Sequence, residues 1–311
     1  MLFPAPPRLA DLPPPPPGKR GWPWTEERPR PSVEEAEGFP SITIVTPSFN
    51  QAAFAEATLR SVLLQGYPRL EYVVMDGGST DGSVEIIRKY ERWLAGWVSE
   101  KDDGQSHAIN KGFDRASGEV VAWLNSDDRL MPASLQAVAR AVLARRDAAA
   151  WVGAARSVTP SGRLIYVNEP RGLDLPSLAD WGGAGGFIQP AAFFSRAAVV
   201  RAGPLDERLH FAFDLDFFLR LAEQGPLVGT REVWAEETIH PSAKTNAQRG
   251  KSLAEAHVVQ IRRGFEEVAK RQMAAELQEW DVLKRGTLAE RVKLQVNLAL
   301  RPLLDRVRTR N

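Results

Sequence analysis

Between Ser41 and Arg145 the chain alternates short β-branched apolar runs with longer segments of helical spacing, and this limits its fold more than any other feature. The strand candidates are "SITIV" (41–45), "LEYVVM" (70–75), "GWVSE" (96–100) and "EVVAWL" (119–124). Between and after them come the helix candidates "AAFAEATLRSVLLQG" (52–66), "GSVEIIRKYERW" (82–93), "QSHAINKGFDRASG" (105–118) and "PASLQAVARAVLAR" (132–145), the last with Pro132 expected in its first turn. Parallel neighbours need a crossover, and a helix supplies it. The expectation is an α/β domain: a doubly wound, mainly parallel sheet flanked by helices, with a C-terminal helical extension. Such sheets bind ligands beyond the carboxyl ends of their strands. Three strand ends here carry polar sequences, "TPSFN" (46–50), "DGGSTDG" (76–82) and "NSDD" (125–128), which should converge on one crevice.

The flanking regions differ in character. Residues 1–40 hold 12 of the 23 prolines, including the run Pro13 to Pro17, and read as an extended, polyproline-like or disordered arm. A linker is the first reading; docking through Trp22 and Trp24 is the second. Residues 41–246 form the main domain, divided near 130 into a ligand-binding half and a more variable half. The latter holds a hairpin around "TPSG", a glycine-rich loop "WGGAGGFIQP" (181–190), a helix "DLDFFLRLAEQG" (214–225) and a strand near "VWAEETIH" (233–240). Residues 247–311 read as two or three helices. The last, 289–310, is basic and amphipathic, so a membrane surface or a protein is a candidate partner for it.

Composition removes several classes of function. Net charge is +1, so bulk electrostatics select no nucleic acid. With no cysteine there is no disulfide, thiolate nucleophile or cysteine-based zinc site. No run of 18 apolar residues and no signal-like start is present, so a cytoplasmic chain, at most peripheral to the membrane, is expected.

Asp127 and Asp128 follow a buried-looking strand, where paired carboxylates repel each other and lose hydration. One aspartate suffices for a helix cap. Two suggest a divalent cation, and oxygen donors favour a hard one, Mg²⁺ or Mn²⁺. "MDGGSTDG" alone is a glycine turn with capping residues; functionally, Asp76 would accept an N–H from a ligand. Phe49 in "TPSFN" is either a core aromatic or a flat face for a base, and Asn50 a helix cap.

Taken in order, "TPSFNQ", "QGYPRLEYVVMDGGSTDGSVEIIRKYE", "SEKDDGQSHAINKGF", "SGEVVAWLNSDD" and "DLDFFLRL" resemble the family 2 inverting glycosyltransferases of the GT-A fold, from about Ile42 to about Thr245. That resemblance implies roles. Pro47 and Phe49 would shelve the nucleobase, and Asp76 would accept from its ring N–H. Gln105, Asn110 and Lys111 would line the donor pocket, with Asn125 and Ser126 also contacting the nucleotide sugar. Asp127, with Asp128 and His240, would hold the metal. Asp214 would be the catalytic base. Gln189, in the glycine-rich loop, reads either as a residue of the acceptor side or as an ordinary loop amide. The sequence departs from relatives at Asn125 and Phe213, where acids are usual. The implied reaction moves a sugar from a nucleotide-sugar donor, UDP-linked by preference, to a hydroxyl of a glycan or lipid-linked acceptor, forming a β-linkage. Two other readings remain: a non-catalytic nucleotide-sugar-binding module, and a sugar-phosphate nucleotidyltransferase. Against the second, "TPSFNQ" lacks the basic glycine loop that would hold a triphosphate.

Overall fold

The computed structural model describes residues 3–240 and 248–285, together with 287 and 290. The stretch "PSAKTNA" after His240 and, apart from residue 290, the basic segment 289–310 lie outside the described residues. In chain order the main elements are β1 (Ile42–Ser48), α1 (Ala52–Leu63), β2 (Leu70–Asp76), α2 (Ser83–Tyr90), β3 (Gly96–Ser99), α3 (Gln105–Arg115), β4 (Val120–Trp123) and β5 (Arg129–Leu130). Then follow α4 (Ser134–Ala144), β6 (Ala150–Val158), β7 (Leu164–Asn168), α5 (Leu175–Ala179), β8 (Ala192–Ser195), α6 (Arg196–Ala202), α7 (Phe213–Ala222), β9 (Leu227–Thr238), α8 (Arg249–Arg262) and α9 (Glu266–Arg285).

The strands form one sheet in the order β3-β2-β1-β4-β8-β6-β9-β5, with β7 on β6. The first four are parallel, as the alternation predicts. Beyond β4 the sheet becomes mixed: β8 runs antiparallel to β4 and β6, while β6 and β9 are parallel. Every residue of β1 and β2 is buried, because helices cover both faces of these inner strands. Gly112 lets α3 sit close on β1, since a Cβ there would lie 2.3 Å from Val45 Cγ1. On the same face, next to Val45 in register, Trp123 packs against Phe194, Phe217 and Phe218 with ring centroids 5.4 to 5.9 Å apart. This aromatic layer joins β4, β8 and α7 beneath the strand ends.

Two local expectations are corrected. β1 continues through Pro47, which pairs in register with Met75. Pairing with β4 has already ended at Val45, so the missing proline N–H interrupts no ladder on that edge. Helix α4 begins at Ser134 rather than around Pro132, because Ala133 adopts a left-handed backbone (φ 65°).

The proline-rich segment lies against the domain. Arg60 is wholly buried and donates to the carbonyls of Pro13, Pro23 and Trp24 and to the Tyr90 hydroxyl. Trp24 is buried, and Trp22 Nε1 donates to Leu130 O at 2.8 Å. The chain divides into two compact units after Ala256. In the second, His257 bridges Gln260 and Glu276, and Gln260 bonds Gln272, tying the end of α8 to α9.

Candidate functional site

The polar loops at the strand ends fold onto one another. Asp76, at the end of β2, accepts from Gly78 N, Ser79 N, Ser79 Oγ and Ser99 Oγ. Asp81 accepts from Ala52 N at 2.9 Å and so caps α1 from the next loop, the task expected of Asn50. Asn50 instead takes a left-handed backbone and accepts from Thr80 N. Between these loops Phe49 stands 59% exposed, unusual for a large aromatic beside a buried strand.

The "NSDD" loop meets the end of β9 because β5 pairs with it, Arg129 opposite Glu236. Asp127 Oδ2 lies 3.1 Å from His240 Nε2, and the His240 ring stacks on Phe54. Asp128 points elsewhere: Oδ1 accepts from Thr238 N (3.1 Å) and Oδ2 from the Asn125 amide (3.2 Å). Burial, then the neighbouring charges of Asp127 and Glu237, push the Asp128 carboxyl well above the usual range. Glu237 is pushed up to about 7 by burial and then by Asp127. Ionising this wall fully is therefore unfavourable unless a cation joins it.

Side-chain amides link the floor. Gln105 Nε2 donates to Asn125 Oδ1 (2.7 Å), and Gln189 Nε2 to Trp123 O (2.8 Å). The facing wall is the start of α7, with Ala212 at the cap position and Asp214 in the first turn. Asp216 pairs with Arg220 at 2.9 Å, leaving the two aspartates of "DLD" in different environments. Glu255 accepts from the N–H groups of His210, Phe211 and Ala212 and so holds the corner before Asp214. These hydrogen bonds keep its carboxyl below the usual range even though burial opposes them.

These walls enclose a cavity of about 860 Å³. Pro47, Phe49, Gln105, Asn125, Ser126, Asp127, Asp128, Gln189 and Asp214 all line it, so most residues singled out from the sequence are brought together. Four have other placements. Asp76 holds the glycine turn. Asn110 clamps Leu205 N and O and Glu207. Lys111 pairs with Glu100. His240 is buried behind Asp127. Sequence reasoning passed over Asp102, Trp181, His210 and Glu237, which also line the cavity. For Glu237 the available signal was its place three residues before His240.

Among the described residues, no three side chains of metal-binding type already converge on one point. The donor set nevertheless fits a hard divalent cation: a carboxylate and an imidazole side by side, next to two carboxyls whose ionisation the protein disfavours. Asp127 and His240 are the pair that would hold it. Such ions commonly take only one or two protein carboxylates, with water and phosphate oxygens completing the shell.

Comparison with known proteins agrees with this arrangement. A glycosyltransferase of Mycobacterium tuberculosis, itself uncharacterized, is 34% identical over 188 residues, spanning 59% of this chain and 69% of its own. Staphylococcus aureus TarS, residues 1–349 in complex with UDP-GlcNAc, superposes with a TM-score of 0.53 at 18% identity, covering 81% of this chain and 77% of that one. The mannosyltransferase PcManGT of Pyrobaculum calidifontis, in complex with GDP-Man and Mn²⁺, gives 0.56 at 22% identity, covering 91% and 84%. A further TarS structure superposes with a TM-score of 0.56 at 19% identity, and this chain spans only 48% of it. The family model "Glycosyl transferase family 2" matches residues 43–201, just over half of the chain. With its GT-A sheet and its polar loops gathered around one cavity, the chain belongs to glycosyltransferase family 2.

Proposed function

We propose that the chain is a metal-dependent inverting glycosyltransferase that moves a sugar from an α-linked nucleotide diphosphate to an acceptor hydroxyl, forming a β-linkage. The observation that carries this reading is the presence of Asp214 and Asp127 in the walls of one cavity. A base and a diphosphate-binding acid must share a cleft if one displacement is to join acceptor and donor. Phe49, exposed on the wall with Pro47, offers the nucleobase a flat face. Gln105, Asn125 and Ser126 face the cavity where donor hydroxyls can be bound. That one structural neighbour holds UDP-GlcNAc and another GDP-Man supports a nucleotide-sugar donor, with a UDP-sugar preferred. A divalent cation on Asp127 and His240, Mn²⁺ or Mg²⁺, would supply Lewis-acid neutralisation of the leaving diphosphate. Asp214 takes the proton from the acceptor hydroxyl as that oxygen attacks the anomeric carbon from the face opposite the leaving group. The Glu255 clamp keeps its helix in place.

A positioned base is worth about 10²–10⁴-fold. Asp214→Asn is therefore expected to bind UDP with Mn²⁺ as the parent does and to lose that much turnover, measured as UDP release from UDP-sugars. Chelator should abolish release, and Mn²⁺ or Mg²⁺ should restore it. Undiminished turnover in the variant removes Asp214 from the mechanism. UDP binding without turnover in the parent, across donors and acceptors, would make the chain a binding module.

A further inference from the structure

We propose that Trp181 is the platform on which the acceptor rests, and that the acceptor therefore ends in a pyranose ring rather than an open-chain polyol or a hydroxyamino acid. The proposal rests on Asp214 being the base and names what that base acts upon. Trp181 is half-buried and lines the same cavity as Asp214. Its indole lies nearly parallel to Phe218, 17° between planes and 5.6 Å between centroids. Phe218 in turn stacks on Trp123 at 9° and 5.9 Å. The Phe187 ring meets the indole edge-on at 4.9 Å. Trp123, Phe187 and Phe218 are buried rings; Trp123 and Phe187 also border the cavity, and Trp181 is the ring of this stack that keeps part of its surface exposed there.

The stack fixes Trp181 relative to the base. Phe218 follows Asp214 by four residues on α7, so the two share a helix face about one turn apart. Trp181 therefore backs onto the helix that carries Asp214, in the wall of the same cavity. The loop carrying the indole is also tightly seated: a Cβ on Gly185 would come 2.4 Å from Gly172 O.

The chemistry selects the ligand. The face of an indole is electron-rich and attracts weakly positive C–H groups. A pyranose with axial C–H bonds presents such a face, rigid and flat, while its equatorial hydroxyls point outward to polar partners. An extended polyol has no flat face, and a serine or threonine side chain is too small to cover the indole. A merely structural tryptophan here would be fully buried, as Trp123 is even at the cavity wall, whereas Trp181 is only half-buried.

Saturation-transfer NMR on the full chain with UDP and Mn²⁺ tests this, using cellobiose, chitobiose, lactose and sorbitol as probes. At least one disaccharide should receive saturation at its ring C–H protons, and sorbitol none. Trp181→Ala should weaken that disaccharide about tenfold, the order a single aromatic contact supplies, while Trp181→Phe retains it and UDP affinity stays unchanged in both. If the alanine variant does not fold, Trp181→Leu, which keeps packing on Phe218 without the π face, takes its place. A disaccharide signal indifferent to all three substitutions, a preference for sorbitol, or no contact with any disaccharide overturns the proposal. If UDP fails to bind the parent chain, the nucleotide-sugar reading falls, and the dependence of the saccharide signal on Trp181 still decides the platform.

Discussion

Asn125 shows how one atom type sets a local balance. Its amide donates to Asp128 Oδ2 and its oxygen accepts from Gln105. An aspartate at 125, usual in relatives by the resemblance, would turn the donor into a third carboxylate beside two acids with disfavoured ionisation. Asn125→Asp is thus expected to lower the stability of the metal-free chain by about 1–3 kcal/mol, the cost of leaving a buried hydrogen-bonding group without its partner. Urea denaturation should report the loss, and Mn²⁺ should recover part of it. Glu237 sets a pH dependence. Its folded pKa of about 7 lies above the ordinary 4.5, so between these values the native state holds the extra proton. Stability in chelator should be full below pH 4.5 and fall as pH rises toward 7, and Glu237→Gln should flatten that slope. The aspartate pair was legible in the sequence because two acids after an apolar run need a partner. Glu237 was not, since its charge acquires meaning only beside Asp127, 110 residues away along the chain.

At the scale of elements, α1 carries a polar ladder toward the "NSDD" loop. Thr58 Oγ1 donates to Ser126 O and Asp128 O, Ser61 Oγ accepts from Leu130 N, and Gln65 donates to Met131 O. Thr58 and Ser61, three residues apart, lie on one face of α1, and Gln65 in the turn just beyond its end continues the grip on the loop. Thr58→Val keeps the shape and removes the donor. It should cost about 1–3 kcal/mol and weaken Mn²⁺-dependent UDP binding, with Thr58→Ser restoring both in calorimetric titration. The helix itself was readable from its spacing, as were α3 and the parallel strands. The ladder was not, because Thr, Ser and Gln on a helix read as solvent-facing until the opposing loop is known. Asn110 illustrates the converse: its helix was expected from the sequence, yet its amide clamps the 205–207 loop.

For the whole molecule, the arm is the largest departure from a sequence-only picture. Five consecutive prolines suggest a tether, yet Arg60 gathers three arm carbonyls around one buried guanidinium. Hydrogen bonds to a charged group are each worth about 1.5–3 kcal/mol, so Arg60→Met should release the arm. Limited proteolysis would then cut within residues 13–24 faster than in the parent, and the melting temperature would fall. Among the described residues, no helix is long and apolar enough to cross a membrane. What the sequence determined by itself was the sheet's parallel half and the gathering of three strand-end loops, because period and turn chemistry are local and act within a few residues. Tertiary structure alone decided the mixed half of the sheet, the turning of Asp128 away from Asp127 and His240, the Glu237 charge and the ring stack ending at Trp181. Those depend on Coulombic and packing contacts between segments far apart in the chain, which exist only once the sheet has brought them together.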